Sequence, residues 1–294
     1  MFPCGILLRE QAFKRDQNRK VTPTEIPGAS KVFIDCHAHI VHPFNYTSIT
    51  QEDVERVVKT AREKEVHHIV SVSSNPDYFP FYDIEKCFEN LIRVVGIQRG
   101  LAQDEHSMML SSLKEQIELT KPKAVGEIGL DYTSLDLESA KGEAVRKRQQ
   151  KLFRKQIQIA REFGLPVVIH AAKADRDLLA IIEEQHAEEI GGMIHGCSCG
   201  RGARERLLEM GFLLSFGPSQ LETPNTLEMV KETPVEHILT ETDAPAWLRF
   251  PDTSVEFQPA DVSDVAKELA RMKEMGLEEF AKTVLNSAKG LFGL

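Results

Sequence analysis

The stretch Val32-Phe33-Ile34-Asp35-Cys36-His37-Ala38-His39-Ile40, VFIDCHAHI, begins as an apolar, β-branched run and ends in two histidines one residue apart. Side chains alternate faces along a strand, so His37 and His39 share one face while Cys36 and Ala38 take the other. Two imidazoles on one buried face cost desolvation unless something satisfies them. A metal ion does so; a polar strand end wetted by solvent is the plain alternative. An H-x-H pair alone does not decide between these, so the answer depends on what else the chain brings to the same place.

Working outward, the chain alternates short apolar runs with longer segments of helical period. After VFIDCHAHI come HHIVSVS (67–73), IRVVGIQ (92–98), AVGEIGL (124–130), PVVIH (166–170), GGMIHG (191–196), GFLLSF (211–216) and HILTETD (237–243). These eight candidate strands are nearly continuous in hydrophobicity, as strands covered on both faces are. Between them, TQEDVERVVKTAREKE places Val54, Val57, Val58 and Ala61 on one stripe behind a Thr50 N-cap. RKRQQKLFRKQIQIAREFG turns Leu152, Phe153, Ile157 and Ala160 inward and stops on Gly164, and ARERLLEMG stops on Gly211 in the same way. Two further helices are expected near 261–275 and 277–289. Eight strand-then-helix units over about 260 residues have the size and rhythm of a TIM (β/α)8 barrel. The rival, a doubly wound open sheet, would favour a Gly-rich phosphate loop after an early strand, and the sequence has none.

With 294 residues, 41% hydrophobic and 28% charged, the chain has an ordinary globular composition. No apolar run approaches the ~20 residues that cross a bilayer, so no membrane partner is expected. The net charge of −9 argues against coating nucleic acid by bulk positive charge, but divalent cations can invert the field of an acidic pocket. The five cysteines, Cys4, Cys36, Cys87, Cys197 and Cys199, are odd in number and form no C-x-x-C pair. A reducing, cytoplasmic compartment is the simplest reading. Residues 1–30 differ from the rest: a short apolar start, mixed charge and the linker VTPTEIPGAS read as a flexible extension, with a targeting segment as the alternative. Residues 31–294 read as the barrel.

In a barrel the C-terminal strand ends meet on one face, where active sites form. His37 and His39 end strand one, Glu127 lies in strand four, His170 closes strand five, His195 strand six and Asp243 strand eight. Each has a bland reading by itself: His170 as a satisfied core histidine, Asp243 as a turn cap. Glu127, between Gly126 and Ile128 inside an apolar run, needs a partner in any reading. Taken jointly, four histidines and two carboxylates have the ligand count for two divalent ions, with Glu127 able to bridge them.

FIDCHAHI, AVGEIGLDY, PVVIH, MIHG and LTETDAP, in this order and spacing, resemble the TatD-type metal-dependent deoxyribonucleases of the amidohydrolase superfamily. The resemblance covers roughly residues 31–290 and implies a TIM barrel with a binuclear site acting on phosphodiesters. It implies one metal on His37, His39, Glu127 and Asp243 and another on Glu127, His170 and His195, the ions being Mg2+, Mn2+ or Zn2+. It also implies 3′-to-5′ exonuclease action on DNA, with RNA as the alternative substrate. Four positions depart from the family pattern. G-x-H-P after strand three reads Gly96-Ile97-Gln98-Arg99, and H-x-R after strand five reads His170-Ala171-Ala172 followed by Lys173. H-x-F-S-G reads His195-Gly196-Cys197-Ser198-Cys199-Gly200, and N-E-P reads Phe257-Gln258-Pro259. The metal shell thus follows the pattern and the substrate shell does not.

In the mechanism this reading suggests, Asp243 receives the proton of a metal-activated water, and Glu127 balances both ions. Arg99 and Lys173 are the candidates for binding phosphate oxygens. A metal-dependent amidohydrolase or deacylase cleaving a C–N or ester bond is the rival enzyme class, since it needs the same activated water. A non-catalytic binding barrel is disfavoured by the cost of a polar shell without metal. The basic run Arg146, Lys147, Arg148, Lys151, Arg154 and Lys155 reads as a solvated helix face rather than a nucleic-acid track. Cys197 and Cys199 read as small turn residues rather than zinc ligands, and His42, His67, His68, His106, His186 and His237 receive no role.

Overall fold

Eight parallel strands follow one another in chain order, each hydrogen-bonded to the next: β1 (Phe33–Ala38), β2 (Val66–Ser73), β3 (Leu91–Val95), β4 (Ala124–Asp131), β5 (Val167–Ala172), β6 (Gly192–His195), β7 (Leu213–Phe216) and β8 (Ile238–Thr240). The computed structural model describes residues 31–40, 50–75, 81–102, 107–245, 247–249 and 254–294. The extension expected over residues 1–30, together with His42 and His106, lies outside them. The ring is brought round where the segment after β8 meets β1. Ala38 bridges Ala244 in parallel, the His39 amide donates to the Ala244 carbonyl at 2.6 Å, and the Asp243 amide donates to the His37 carbonyl at 2.9 Å. Below these, Thr240 Oγ1 donates to the Ile34 carbonyl at 2.8 Å. The architecture is the TIM barrel that the strand rhythm predicts.

The helices form for the expected reasons. Gln51–Glu63 begins at a Thr50–Asp53 capping box and buries Val54, Val58 and Ala61. Ala140–Phe163 is longer than the basic run suggests: Ser139 caps it by accepting from the Gly142 amide at 3.0 Å, and Gly164 ends it at φ 64°. Leu152, Phe153, Ile157 and Ala160 all face inward. On its outer side Arg154 pairs with Glu184 at 2.8 Å and Lys147 lies 3.6 Å from Glu143, as a solvated, ion-paired face would. Val262–Met272 and Leu277–Phe292 are the two closing helices.

Strand ends move where side chains take over the ladder. β3 stops at Val95 because the Gln156 amide satisfies Ile97 on both sides, accepting from its N–H at 2.7 Å and donating to its carbonyl at 2.8 Å. β8 stops at Thr240 because Thr242 turns its amide, at 3.0 Å, and its hydroxyl, at 2.6 Å, to the Asp35 carboxylate. A short antiparallel pair, Trp247–Arg249 with Ser254–Glu256, follows β8 and has no counterpart in the hydrophobic pattern.

Asp177 ties the helix Ala140–Phe163 to the helix Asp175–Glu184. It accepts from Arg146 at 2.8 and 3.0 Å, Gln150 at 2.7 Å and the Tyr132 hydroxyl at 2.9 Å. The Arg146 bonds, against opposition from burial, hold its carboxyl below the usual range. A depressed folded pKa stabilises above the unfolded value and loses that contribution as pH falls. Asp177→Asn is therefore expected to cost about 1–2 kcal/mol at pH 7 by denaturant melts. The difference from the native chain should shrink as pH falls below the ordinary carboxylate value of about 4.

Candidate metal centre

Alternation along β1 points Asp35, His37 and His39 into the barrel and Ile34, Cys36 and Ala38 towards the helices. The His37 and His39 Nε2 atoms lie 3.3 Å apart, each 3.5 Å from Asp243 Oδ1. His39 Nδ1 lies 3.0 Å from the Val72 carbonyl. A carbonyl only accepts, so Nδ1 carries the hydrogen and the Nε2 lone pair is left facing inward. Asp243 reaches this ring from a left-handed residue at φ 54°, a conformation aspartate tolerates better than most.

Glu127 is the centre of the cluster, 4% exposed on β4. Pairing of β4 with β5 passes from Gly126–Val168 to Ile128–Ile169, leaving Glu127 as the extra residue of a bulge that turns it inward. The glycines beside it are required by space. A Cβ on Gly126 would stand 2.5 Å from Val168 Cβ, and one on Gly129, at φ 132°, would stand 2.1 Å from the His170 carbonyl oxygen. The two glycines let β4 lie close to β5, which sets Glu127 beside His170. Oε2 of Glu127 faces His39 Nε2 at 3.6 Å, and Oε1 faces His170 Nδ1 at 3.2 Å and His195 Nε2 at 3.6 Å. His170 Nδ1 and His195 Nε2 are 3.0 Å apart, and the His195 ring stacks on His37 at 3.8 Å.

Atoms bound about 2.1 Å from one ion lie about 3.0–3.5 Å from each other in octahedral or tetrahedral arrangements. The separations above fall near that range, and His37–His39–Glu127, Glu127–His170–His195 and His37–His195–Asp243 each converge tightly enough to hold an ion. The nitrogens that face the cluster are Nε2 of His37, His39 and His195 and Nδ1 of His170. The donor set therefore fits divalent metal. All six residues expected as ligands meet in one volume. Cys197 and Cys199 are buried outside these three groups.

Electrostatics follow from this crowding. Burial opposes ionisation of Glu127, but bonds to His170 and His195 and the Arg99 charge hold its carboxyl well below the usual range. Burial disfavours the charged form of His195, yet Glu241 and Glu127 raise it well above an ordinary histidine. His37 is lowered by burial and by the neighbouring His195 and His39. Desolvation raises Asp243, with His195 and His39 opposing.

Three carboxylates that the sequence reading passed over complete the site. Glu241 Oε1 lies 3.4 Å from His195 Nδ1, and its other oxygen accepts from the Ser215 hydroxyl. Asp131 Oδ2 lies 3.4 Å from His170 Nε2, and the His170 contact lowers its pKa against opposition from burial. Asp35 accepts from the His37 and Thr242 amides and the Thr242 hydroxyl, joining β1 to the segment after β8, and burial raises it well above the usual range. Strand alternation could have found Asp35, which lies two residues before His37 on β1; Glu241 follows the end of β8 and Asp131 is separated from Glu127 by the bulge, so alternation does not place them. Of the two candidates for phosphate, Arg99 contacts Glu127 Oε1 directly, with Nη2 3.7 Å from Asp131 Oδ2. Lys173 follows β5 with an exposed side chain.

Residues 34–293 match the sequence profile of the TatD related DNase family. The chain belongs to that family. Over 264 residues it is 31% identical to the uncharacterized metal-dependent hydrolase YabD of Bacillus subtilis (strain 168), covering 89% of this chain and 99% of that protein. It is 27% identical over 269 residues to the deoxyribonuclease TATDN3 of Homo sapiens, covering 88% and 94%. In structure it superposes on YJJV, a TatD homologue from Escherichia coli K12, with a TM-score of 0.77 at 24% identity, over 90% of this chain and 100% of that one. This TatD-family chain is thus a metal-dependent hydrolase acting on ester bonds. Among its described residues no helix is long and apolar enough to cross a membrane.

Carboxylates behind metal-ligating histidines fix the ring and strengthen the ligand. Glu241→Gln is expected to leave the fold intact by circular dichroism and to weaken Mn2+ or Zn2+ binding by about 10- to 100-fold. Unchanged affinity in an equilibrium titration would show that Glu241 does not act through His195.

Proposed function

We propose that this TatD-family hydrolase cleaves phosphodiester bonds of DNA at a two-ion centre, removing nucleotides from the 3′ end. The observation that carries the reading is the division of Glu127, whose Oε2 faces His39 while Oε1 faces His170 and His195. One carboxylate then serves two ligand sets: His37, His39 and Asp243 with one oxygen, His170 and His195 with the other. Mg2+, Mn2+ or Zn2+ ions bound there would lower the pKa of a water and offset the charge that grows on phosphate oxygens. The name of the human relative, a deoxyribonuclease, supports DNA as the substrate, with RNA as a second polymer to test.

The chain's own groups do the rest. Asp243 is half-buried with Oδ1 3.5 Å from both His37 and His39, where it can accept a proton from a water at the same place. His39 is held by the Val72 carbonyl and His195 by Glu241, so both rings are oriented before substrate arrives. Arg99 and Lys173 are the cations for phosphate oxygens, Arg99 through a planar fork that can make two bonds at once. β5 ends on Ala172, where the family pattern has arginine, and this favours attack on a C–N or ester bond as the second reading.

The test is a time course on 3′-labelled and 5′-labelled single-stranded DNA and RNA with Mg2+ or Mn2+, run beside EDTA and Glu127→Ala lanes. Stepwise shortening of DNA from the 3′ end is expected, abolished by EDTA and reduced at least about 10²–10³-fold in Glu127→Ala. Full activity in Glu127→Ala would overturn the two-ion reading. A metal-loaded protein that leaves nucleic acid intact but hydrolyses an ester or amide substrate would favour the second reading.

A further inference from the structure

The position of Arg99 on Glu127 raises a question of charge. Oε1 of Glu127 is met by the Arg99 guanidinium, by His170 Nδ1 at 3.2 Å and by His195 Nε2 at 3.6 Å. That oxygen is the one carboxylate atom that an ion held by His170 and His195 would share. A guanidinium and a divalent ion on one oxygen repel at short range, in surroundings where Glu127 is buried and screening by water is weak. Oε2, by contrast, faces His39 and lies away from the guanidinium contact. The two sides of Glu127 are therefore unequal for a cation.

Arg99 has somewhere else to go. It opens a single 3-10 turn, Arg99–Leu101, directly after β3, and its side chain is 23% exposed. Nη2 already lies 3.7 Å from Asp131 Oδ2, so a small rotation can keep one carboxylate partner while leaving the other. A phosphate group at the barrel mouth would be a better partner for the planar fork than a carboxylate oxygen shared with two histidines.

We propose that Arg99 sets the affinity of the second ion and couples it to phosphate. The ion on the His37, His39, Glu127 and Asp243 side binds first. The ion on the His170 and His195 side binds more weakly because Arg99 competes for Glu127 Oε1. A phosphate that draws Arg99 away strengthens the second ion, and by linkage the second ion strengthens the phosphate to the same degree. The inference rests on the two-ion reading above. It assigns Arg99 a positioning role that the histidine of the usual G-x-H-P pattern, lacking a permanent charge, would not fill.

The experiment is a Mn2+ titration of the native chain, Arg99→Gln and Arg99→Lys, with free ion counted by electron paramagnetic resonance. Each is run with and without dimethyl phosphate as the phosphodiester probe. The native chain is expected to take one ion tightly and a second at least about tenfold more weakly, the second tightening when dimethyl phosphate is present. Arg99→Gln should tighten the second ion by about tenfold or more and erase the effect of dimethyl phosphate. Arg99→Lys, which keeps a charge, should keep the second ion weak. A second ion bound no tighter in Arg99→Gln than in the native chain, or a dimethyl phosphate effect that survives in Arg99→Gln, would overturn the inference. Two ions bound alike in all three proteins would overturn it while leaving the two-ion centre standing. Failure of every protein to bind Mn2+ would instead remove the two-ion reading itself.

Discussion

Glu127 is a carboxylate held almost entirely out of water in the middle of a β-strand. Taking such a group from water is expensive unless opposite charge and hydrogen-bond donors surround it. Most of what is unusual in the barrel can be traced to meeting that demand. The glycines at 126 and 129 remove the side chains that would hold β4 away from β5, and the bulge turns the carboxylate inward. His39, His170, His195 and Arg99 then converge on its two oxygens from four different strands or loops. No nearby pair of residues could do this. A whole ring of strands is needed to bring partners to one carboxylate from several sides.

Around that centre the polar groups come in two layers. The inner layer of histidine nitrogens and carboxylate oxygens has donor spacings suited to divalent metal. Behind it, Val72, Glu241, Asp131 and Asp35 hold the inner groups in orientation, each through a named contact. The outer layer also holds the barrel together. Asp35 accepts the amide and hydroxyl of Thr242, so the contact that orients the backbone at His37 is also the one that brings the end of β8 to β1. Closure of the ring and construction of the site share these contacts, and the site residues lie on the strands or just after their ends.

Family membership makes the chain a metal-dependent hydrolase, and the differences within the site bear on substrate. The strand-borne histidines and carboxylates follow the family pattern, while Gln98, Arg99 and Ala172 do not. Arg99 is the departure with the clearest physical content, because it brings a permanent charge to an oxygen that the family pattern leaves for metal. Lys173, next to Ala172 and exposed, offers a cation in a different position from an arginine on the strand itself.

The sequence by itself determined the barrel, since eight short apolar runs separated by amphipathic segments have few other ways to be covered on both faces. It also determined the six residues that gather at the mouth, because strand alternation and the position of each strand's end say which side chains point there. Alternation carried the signal for Asp35 as well, two residues before His37 on the same strand. What only the tertiary structure decided are contacts between groups far apart in the chain. Gln156 ends β3 by bonding Ile97, Thr242 ends β8 by bonding Asp35, and Arg99 meets Glu127. Periodicity reports which face a residue takes, and it carries no information about which distant partner waits on that face. That choice depends on strand register and side-chain reach, which exist only once the ring has closed.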